Sequence, residues 1–288
     1  MVIPRLLLHP VYGALTVAAI WGLNVVVMKI AMADLPPLAF TTLRFCALAL
    51  LLWPFVKISW PQFRQSLPLA LTMGMGHFYM LALGLTYVPG VIASLCLLLG
   101  APFSSILGYL ILKEHLTMRQ VMAITIATLG ALIPTLASGN ISLQIGMLIV
   151  IFSTFMWAYG NIQVKQMQQI STMAIQFWIA VITAPISYGF YVYTADGVAL
   201  TEHITLQAMA CLAYVVVFSS IIGYALWYRL IHRHGVQQVA PYALVQPIFT
   251  LMAGYLILAE VLSLWQWLGS SITLMAIYLY YHYQRPNQ

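Results

Sequence analysis

Residues 108–117 read GYLILKEHLT, and residues 254–263 read GYLILAEVLS. Seven of the ten positions are identical, at an offset of 146 in a chain of 288. A repeat spaced by half the chain points to two copies of one structural unit. Each copy closes a long apolar segment, places a Glu and then begins another segment. If each half holds an odd number of membrane-spanning helices, the two copies lie in opposite orientations, the inverted-repeat arrangement of secondary transporters.

Composition makes the bilayer the natural solvent. The chain is 63% hydrophobic and 6% charged, with mean hydropathy +0.95, where a soluble domain carries about 25% charged residues. Its apolar runs are about 20 residues long and unbroken, which fits helices, whereas barrel strands are about 10 residues and alternate. The expected fold class is an all-α integral membrane protein. Ten spans are expected, at 11–32, 36–56, 67–87, 91–112, 118–137, 143–164, 171–193, 206–230, 236–258 and 264–283. Turn residues separate them: Pro36-Pro37, Pro89-Gly90, Gly139-Asn140, Asp196-Gly197 and Gly235. The two repeats divide as 1–140 and 141–288. The N-terminal run has no small-residue cleavage site, so it reads as a retained first helix. Cys46, Cys96 and Cys211 fall inside apolar runs and read as packing residues.

The basic residues set the orientation. Arg5, Lys57, Arg64, Lys113, Arg119, Lys165, Arg229, Arg233 and Arg285 all fall on one side of a ten-span count. The opposite loops hold Asp34, Asp196, Glu202 and Glu260 and no Lys or Arg. The positive-inside rule then places both termini in the cytoplasm. The net charge of +6 follows this topology and implies no nucleic-acid partner. Two basic residues remain. Arg44 lies inside span 2, about 12 Å from its outer end at helical rise. A charge at that depth faces either a cavity or a structural partner. Lys29 lies one turn from the outer end of span 1 and reads either as an interfacial residue that snorkels or as a binding or gating residue.

Polar groups recur at matched places. Trp21, Asn24 and Met28 share one face of span 1, and Trp157 and Asn161 one face of span 6. These are either lining for a cavity shared by the halves or glue between helices. His77 in span 3 is either a hydrogen-bonded packing residue or a proton carrier. Span 8 contributes Tyr224 and Trp227 near Gly223, and span 9 contributes Tyr242 and Gln246 before Pro247. Pro102 and Pro247 predict paired kinks in spans 4 and 9, the pointer to a midplane site. The stripes Cys96-Gly100-Ser104-Gly108 and Gln246-Thr250-Gly254 predict close helix packing. Glu114 and Glu260 read as caps for the helices that follow, or as gate residues. His232 and His234 lack carboxylate or Cys partners, so no metal is expected, and no cofactor. Five acids scattered along the chain supply no general-base cluster for an enzyme.

At this point the residues resemble a family. Trp21-Gly22-Leu23-Asn24 with Lys29, Pro36-Pro37 and Leu43-Arg44-Phe45 are similar to the opening of EamA-type members of the drug/metabolite transporter superfamily. Trp157-Ala158-Tyr159-Gly160-Asn161, Gly223-Tyr224 with Trp227, Val239-Ala240-Pro241 and the Gly-Tyr-Leu-Ile-Leu…Glu endings extend the likeness over nearly the whole chain. It most resembles bacterial inner-membrane exporters of amino acids and cysteine-pathway metabolites. The resemblance implies ten helices in two inverted five-helix repeats, a central cavity lined mainly by helices 1, 3, 4, 6, 8 and 9, and alternating access. It implies efflux of small metabolites, with an importer or facilitator of the same fold as the alternative, and a monomer or homodimer in the lipid bilayer. The expected substrate site comprises Trp21, Asn24, Arg44, His77, Trp157, Asn161, Tyr224, Trp227, Tyr242 and Gln246, with Arg44 attracting a carboxylate. Gln176 stands in the second half where the first has Arg44.

Overall fold

Pro10, Pro37 and Gly90 each open a helix, where the first turn's N–H groups need no intrahelical partner. Ser171 and Thr205 cap two later helices, their hydroxyls accepting from the N–H of Ala174 and Ala208. The structure, a computed structural model, describes residues 8–113, 117–138, 141–167, 170–195, 198–234, 239, 245–261 and 263–284. In chain order these form α1 (Pro10–Asp34), α2 (Pro37–Leu52), α3 (Trp60–Leu85), α4 (Gly90–Ile111), α5 (Met118–Ser138), α6 (Ile141–Gln166), α7 (Thr172–Thr194), α8 (Leu206–Leu230), α9 (Gln246–Leu258) and α10 (Leu264–Gln284). Every regular element among the described residues is helical, as hydrocarbon demands of a backbone with no water to bond.

Among the described residues, seven helices are long and apolar enough to cross a membrane: α1, α2 with its terminal turn, α3, α4, α6, α7 and α8. The described part of α9 is shorter, 13 residues, because residues 240–244 lie outside the described set. The third span starts at Trp60, seven residues earlier than the hydropathy of residues 67–87 indicates. Pro61 suits a first turn, and the helix carries Gln62 and Arg64 beyond the apolar stretch.

The largest interfaces pair α2 with α7, α5 with α10, α1 with α8 and α9, and α6 with α3 and α4. Bilayer helices gain little from hydrophobicity against one another, so close backbone approach and polar bonds hold them together. Thr42 donates to Ser187 Oγ at 2.9 Å between α2 and α7. Thr273 donates to the Ala127 carbonyl at 3.3 Å between α10 and α5. Thr250 donates to the Gly22 carbonyl at 3.1 Å between α9 and α1. A Cβ on Gly22 would stand 2.6 Å from Phe249 Cβ and 2.8 Å from the Gln246 carbonyl, so this contact requires glycine. Cys96 and Cys211 are packed inside, whereas Cys46 is exposed on α2, which departs from its reading as a packing residue.

The repeat of the sequence reappears in backbone detail. Lys113 and Ala259, at matched places in the two copies, are the non-glycine residues with positive φ among the described set, at 55° and 52°. The N–H of each closes its helix on the carbonyl of Gly108 or Gly254. α4 breaks at Leu99, just before Pro102, which has no N–H to offer the Leu98 carbonyl. Pro247 lies in the first turn of the described part of α9. Two wide π-helical stretches, Ala70–Tyr79 in α3 and Val215–Gly223 in α8, also fall at matched positions. Hydropathy gave no sign of these, because a π turn changes the hydrogen-bond ladder without changing composition.

Candidate functional site

Arg44 sits on α2 with 1% of its surface exposed. Its Nη2 donates to Ser220 Oγ at 3.0 Å, and that hydroxyl donates to the Val215 carbonyl at 3.0 Å. The acceptor is available because Ser220 lies in the π stretch of α8, whose wide turn reaches back five residues. The guanidinium carbon lies 4.1 Å from the Phe78 ring centre and 5.6 Å from that of Phe45, within cation–π range. Among the described residues, Arg44 Nε and Nη1 meet no acceptor, and Trp227 Nε1, the Tyr228 hydroxyl and Asn24 Oδ1 are likewise buried without a partner.

An aromatic cluster surrounds this cation. Phe78 meets Tyr224 edge-on at 5.7 Å, Tyr224 meets Trp21 at 4.9 Å and Tyr228 at 5.5 Å, and Trp21 meets Trp227 at 5.3 Å. Trp157 approaches from α6, its ring centre 6.5 Å from that of His77. The Trp21 indole donates to the Ser219 carbonyl at 3.4 Å, a second bond into the same π stretch. Gly223 makes room for it, since a Cβ there would stand 2.7 Å from Trp21 Nε1.

His77 is buried between α3 and α6. The Ser153 hydroxyl donates to the His77 carbonyl at 3.0 Å. With that hydrogen committed, His77 Nδ1 is assigned as the donor, 2.9 Å from Ser153 Oγ and 3.1 Å from the Ser153 carbonyl. The ring therefore ties two helices while it borders the cluster through Phe78 at 4.7 Å.

Six of the ten candidate residues thus meet in one cluster: Trp21, Arg44, His77, Trp157, Tyr224 and Trp227. Asn24 lies one turn along α1 from Trp21, buried, its amide nitrogen 3.2 Å from Met28 Sδ. Gln246 is buried behind it, its carbonyl against Gly22. Asn161 is half-buried one turn beyond Trp157, and Tyr242 lies outside the described residues. Sequence reasoning missed Ser219, Ser220 and Tyr228. Adjacent serines in an apolar run were the available signal, but their role depends on the π turn that presents them.

A second polar arrangement joins α1, α4 and the residues after α9. Lys29 Nζ lies 3.2 Å from Glu260 Oε1 and donates to the Val88 carbonyl at 2.8 Å. The same Glu260 oxygen accepts from Gly90 N–H at 3.2 Å. Lys29 therefore does not snorkel, because a carboxylate and a carbonyl lie within its reach. Glu260 caps the start of α4, whereas the sequence placed it as a cap for the helix that follows it. The favourable partner of a carboxylate is the positive end of a helix dipole, and folding brings α4's closer. Glu114, its counterpart, lies outside the described residues.

A model of the EamA-like transporter family matches residues 10–136 and again residues 144–281. A relative from Escherichia coli (strain K12), named "Probable amino-acid metabolite efflux pump", is 32% identical over 285 residues, covering 92% of each chain. A Salmonella typhimurium protein of the same name is 29% identical over 276 residues, again with 92% of each chain covered. An Archaeoglobus fulgidus protein named "Uncharacterized transporter" is 26% identical, covering 92% of this chain and 96% of its own. A solved crystal structure, 13% identical, superposes with a TM-score of 0.63 over 92% of this chain and 94% of that one, a likeness of fold.

Proposed function

Because the chain belongs to the EamA-like transporter family, we propose that it is a secondary transporter, not an enzyme, exporting small metabolites across the bacterial cytoplasmic membrane. Amino acids or related compounds are the substrate class, in line with the printed names of the two enterobacterial relatives. The chain crosses the bilayer ten times as two inverted five-helix repeats, 1–140 and 141–288. Support for the repeats comes from packing: exchanging each helix with the one five places later carries the largest interfaces onto one another. Both termini lie in the cytoplasm by the distribution of basic residues, which puts the Lys29–Glu260 pair at the outer end.

The observation that carries the reading is the buried cation among aromatic rings at the meeting of α1, α2, α3, α6 and α8. The Ser220 bond occupies one guanidinium nitrogen, and the two that meet no acceptor among the described residues offer a carrier a binding site. Substrate binds among Trp21, Asn24, Arg44, Trp157, Tyr224 and Trp227, with His77, Asn161, Tyr242 and Gln246 completing the lining. Rocking of the repeats about this site exposes it to each side in turn. The purified protein in liposomes, sorted by orientation and loaded with labelled amino acids, tests the reading. Saturable flux from the cytoplasmic face outward is the expected result. Flux only in the opposite direction would identify an importer, and no saturable flux of any metabolite class would remove the transport reading.

A further inference from the structure

We propose that the metabolite carried at Arg44 bears one net negative charge, and that its export is driven by the membrane potential. The class is a carboxylate whose nitrogen is absent or acylated, or an amino acid with a second carboxylate, and not a free zwitterion. This rests on reading the Arg44 cluster as the transport site.

The chain's own charges carry the inference. Its five acids are Asp34, Glu114, Asp196, Glu202 and Glu260. Asp34 ends α1, Glu202 lies in the short turn Leu200–His203, and Glu260 follows α9 beside Lys29. Glu114 and Asp196 stand in connecting stretches of the sequence. No acid belongs to the interior of a span, so Arg44 has no counter-ion there. A guanidinium keeps its charge, and a buried cation is costly until an opposite charge arrives. The arriving substrate supplies that charge.

Hydrogen-bond inventory selects between an anion and a zwitterion. Among the described residues, the unfilled N–H groups of the cluster are Arg44 Nε and Nη1 and Trp227 Nε1, and the Tyr228 hydroxyl can donate or accept. Asn24 Oδ1 is the unfilled carbonyl-type acceptor beside them. A carboxylate accepts at about four lone-pair positions, whereas an ammonium brings three donors that need acceptors. The three N–H groups suit the carboxylate, and an ammonium would find the amide oxygen, the Tyr228 hydroxyl and aromatic faces that Arg44 already occupies. A zwitterion would leave the loaded site with the same net positive charge as the empty one. A monoanion makes the loaded site neutral.

This charge difference provides a driving force. The loaded site crosses neutral and the empty site returns with one positive charge, so each cycle moves one negative charge in the direction of the substrate. An inside-negative potential favours export without a coupling ion, and no span-interior acid is present to bind one. At 100 mV the limiting gradient is about 50-fold, the ~2.3 kcal/mol that this potential supplies per charge.

The test uses the full chain in potassium-loaded liposomes, with valinomycin setting the potential. N-acetylphenylalanine and phenylpyruvate are the anionic probes, phenylalanine is the zwitterion, and phenylalaninamide is the cation. The expected result is saturable movement of the anions, accelerated when their compartment is negative and reversed in sign with the potential. Arg44→Gln should reduce anion flux at least tenfold, and Arg44→Lys should keep the voltage response with weaker binding. Tryptophan fluorescence checks that both variants fold. If Arg44→Gln does not fold, wild-type voltage dependence decides alone. Phenylalanine movement that ignores voltage, with the anions excluded, would overturn the inference and leave the transport reading intact. Anion flux unchanged in a folded Arg44→Gln variant would also overturn it. Absence of saturable flux for every probe and every amino acid would remove both.

Discussion

Replacing Glu260 by glutamine should unfasten the end of the bundle where α1 and α4 meet the residues after α9. Glutamine keeps the shape and an oxygen for Gly90 N–H, so the loss is one of charge. Two contacts weaken: Lys29 Nζ to Oε1 at 3.2 Å and Gly90 N–H to the same oxygen at 3.2 Å. A bond to a charged group is worth about 1 kcal/mol more than a neutral one, so the two together lose ~2 kcal/mol. The side chains are 30% and 13% exposed, so water screens the pair only in part. Lys29→Met should cost ~3 kcal/mol, because a mostly buried carboxylate then lacks its cation. The double variant should lose 1–2 kcal/mol less than the sum, roughly the coupling of the pair. Hydrogen exchange in the peptide over residues 88–92 reads this directly, since the Gly90 amide is held by Glu260. Local opening made easier by ~2 kcal/mol speeds exchange roughly 30-fold, and peptides from α2 should not change. Unaltered exchange in both single variants, or a double deficit equal to the sum, would show that the pair does not hold this end closed.

Gly22→Ala should destabilise by about 1–3 kcal/mol through overpacking against Phe249 and the Gln246 carbonyl. Gly189→Ala, where a Cβ meets nothing within 4 Å, should not destabilise, and thermal unfolding in detergent compares the two. Ala259→Gly should stabilise by up to ~1 kcal/mol, because it relieves a left-handed φ of 52°. Ala259→Val should destabilise, since a β-branched side chain tolerates that backbone least, and the same unfolding assay checks both. Ser153→Ala removes the hydroxyl that bonds to both the His77 carbonyl and its ring. It should cost about 1–2 kcal/mol, measured as a shift of the denaturation midpoint in mixed micelles.

Most of the architecture was legible because a bilayer imposes simple rules on sequence. Long apolar runs become helices, turn residues end them, and the GYLIL repeat marks equivalent points in the two halves. The identical left-handed exits at Lys113 and Ala259 are that repeat expressed in backbone angles. The candidate cluster was legible in part. Trp21, Arg44, His77, Trp157, Tyr224 and Trp227 stood out as polar or aromatic groups in apolar runs, and they meet. Ser219 and Ser220 did not stand out, since a serine in a membrane helix ordinarily bonds its own backbone. Lys29 was misread for a related reason: snorkelling is the cheapest solution for a lysine with no partner, and its partner is 231 positions away in the chain.

The sequence by itself determined that the long apolar runs become helices and that no acid stands inside the apolar run that holds Arg44. These are properties of composition and local order, and hydrocarbon enforces them one segment at a time. Only the tertiary structure decided which groups meet. Folding brings Ser220 to Arg44 across 176 positions and Glu260 to Lys29 and Gly90, and leaves Arg44 Nε and Nη1 without a partner among the described residues. The physical reason is that partners are chosen by helix packing and by the π turns that reaim side chains. Neither leaves a mark in hydropathy.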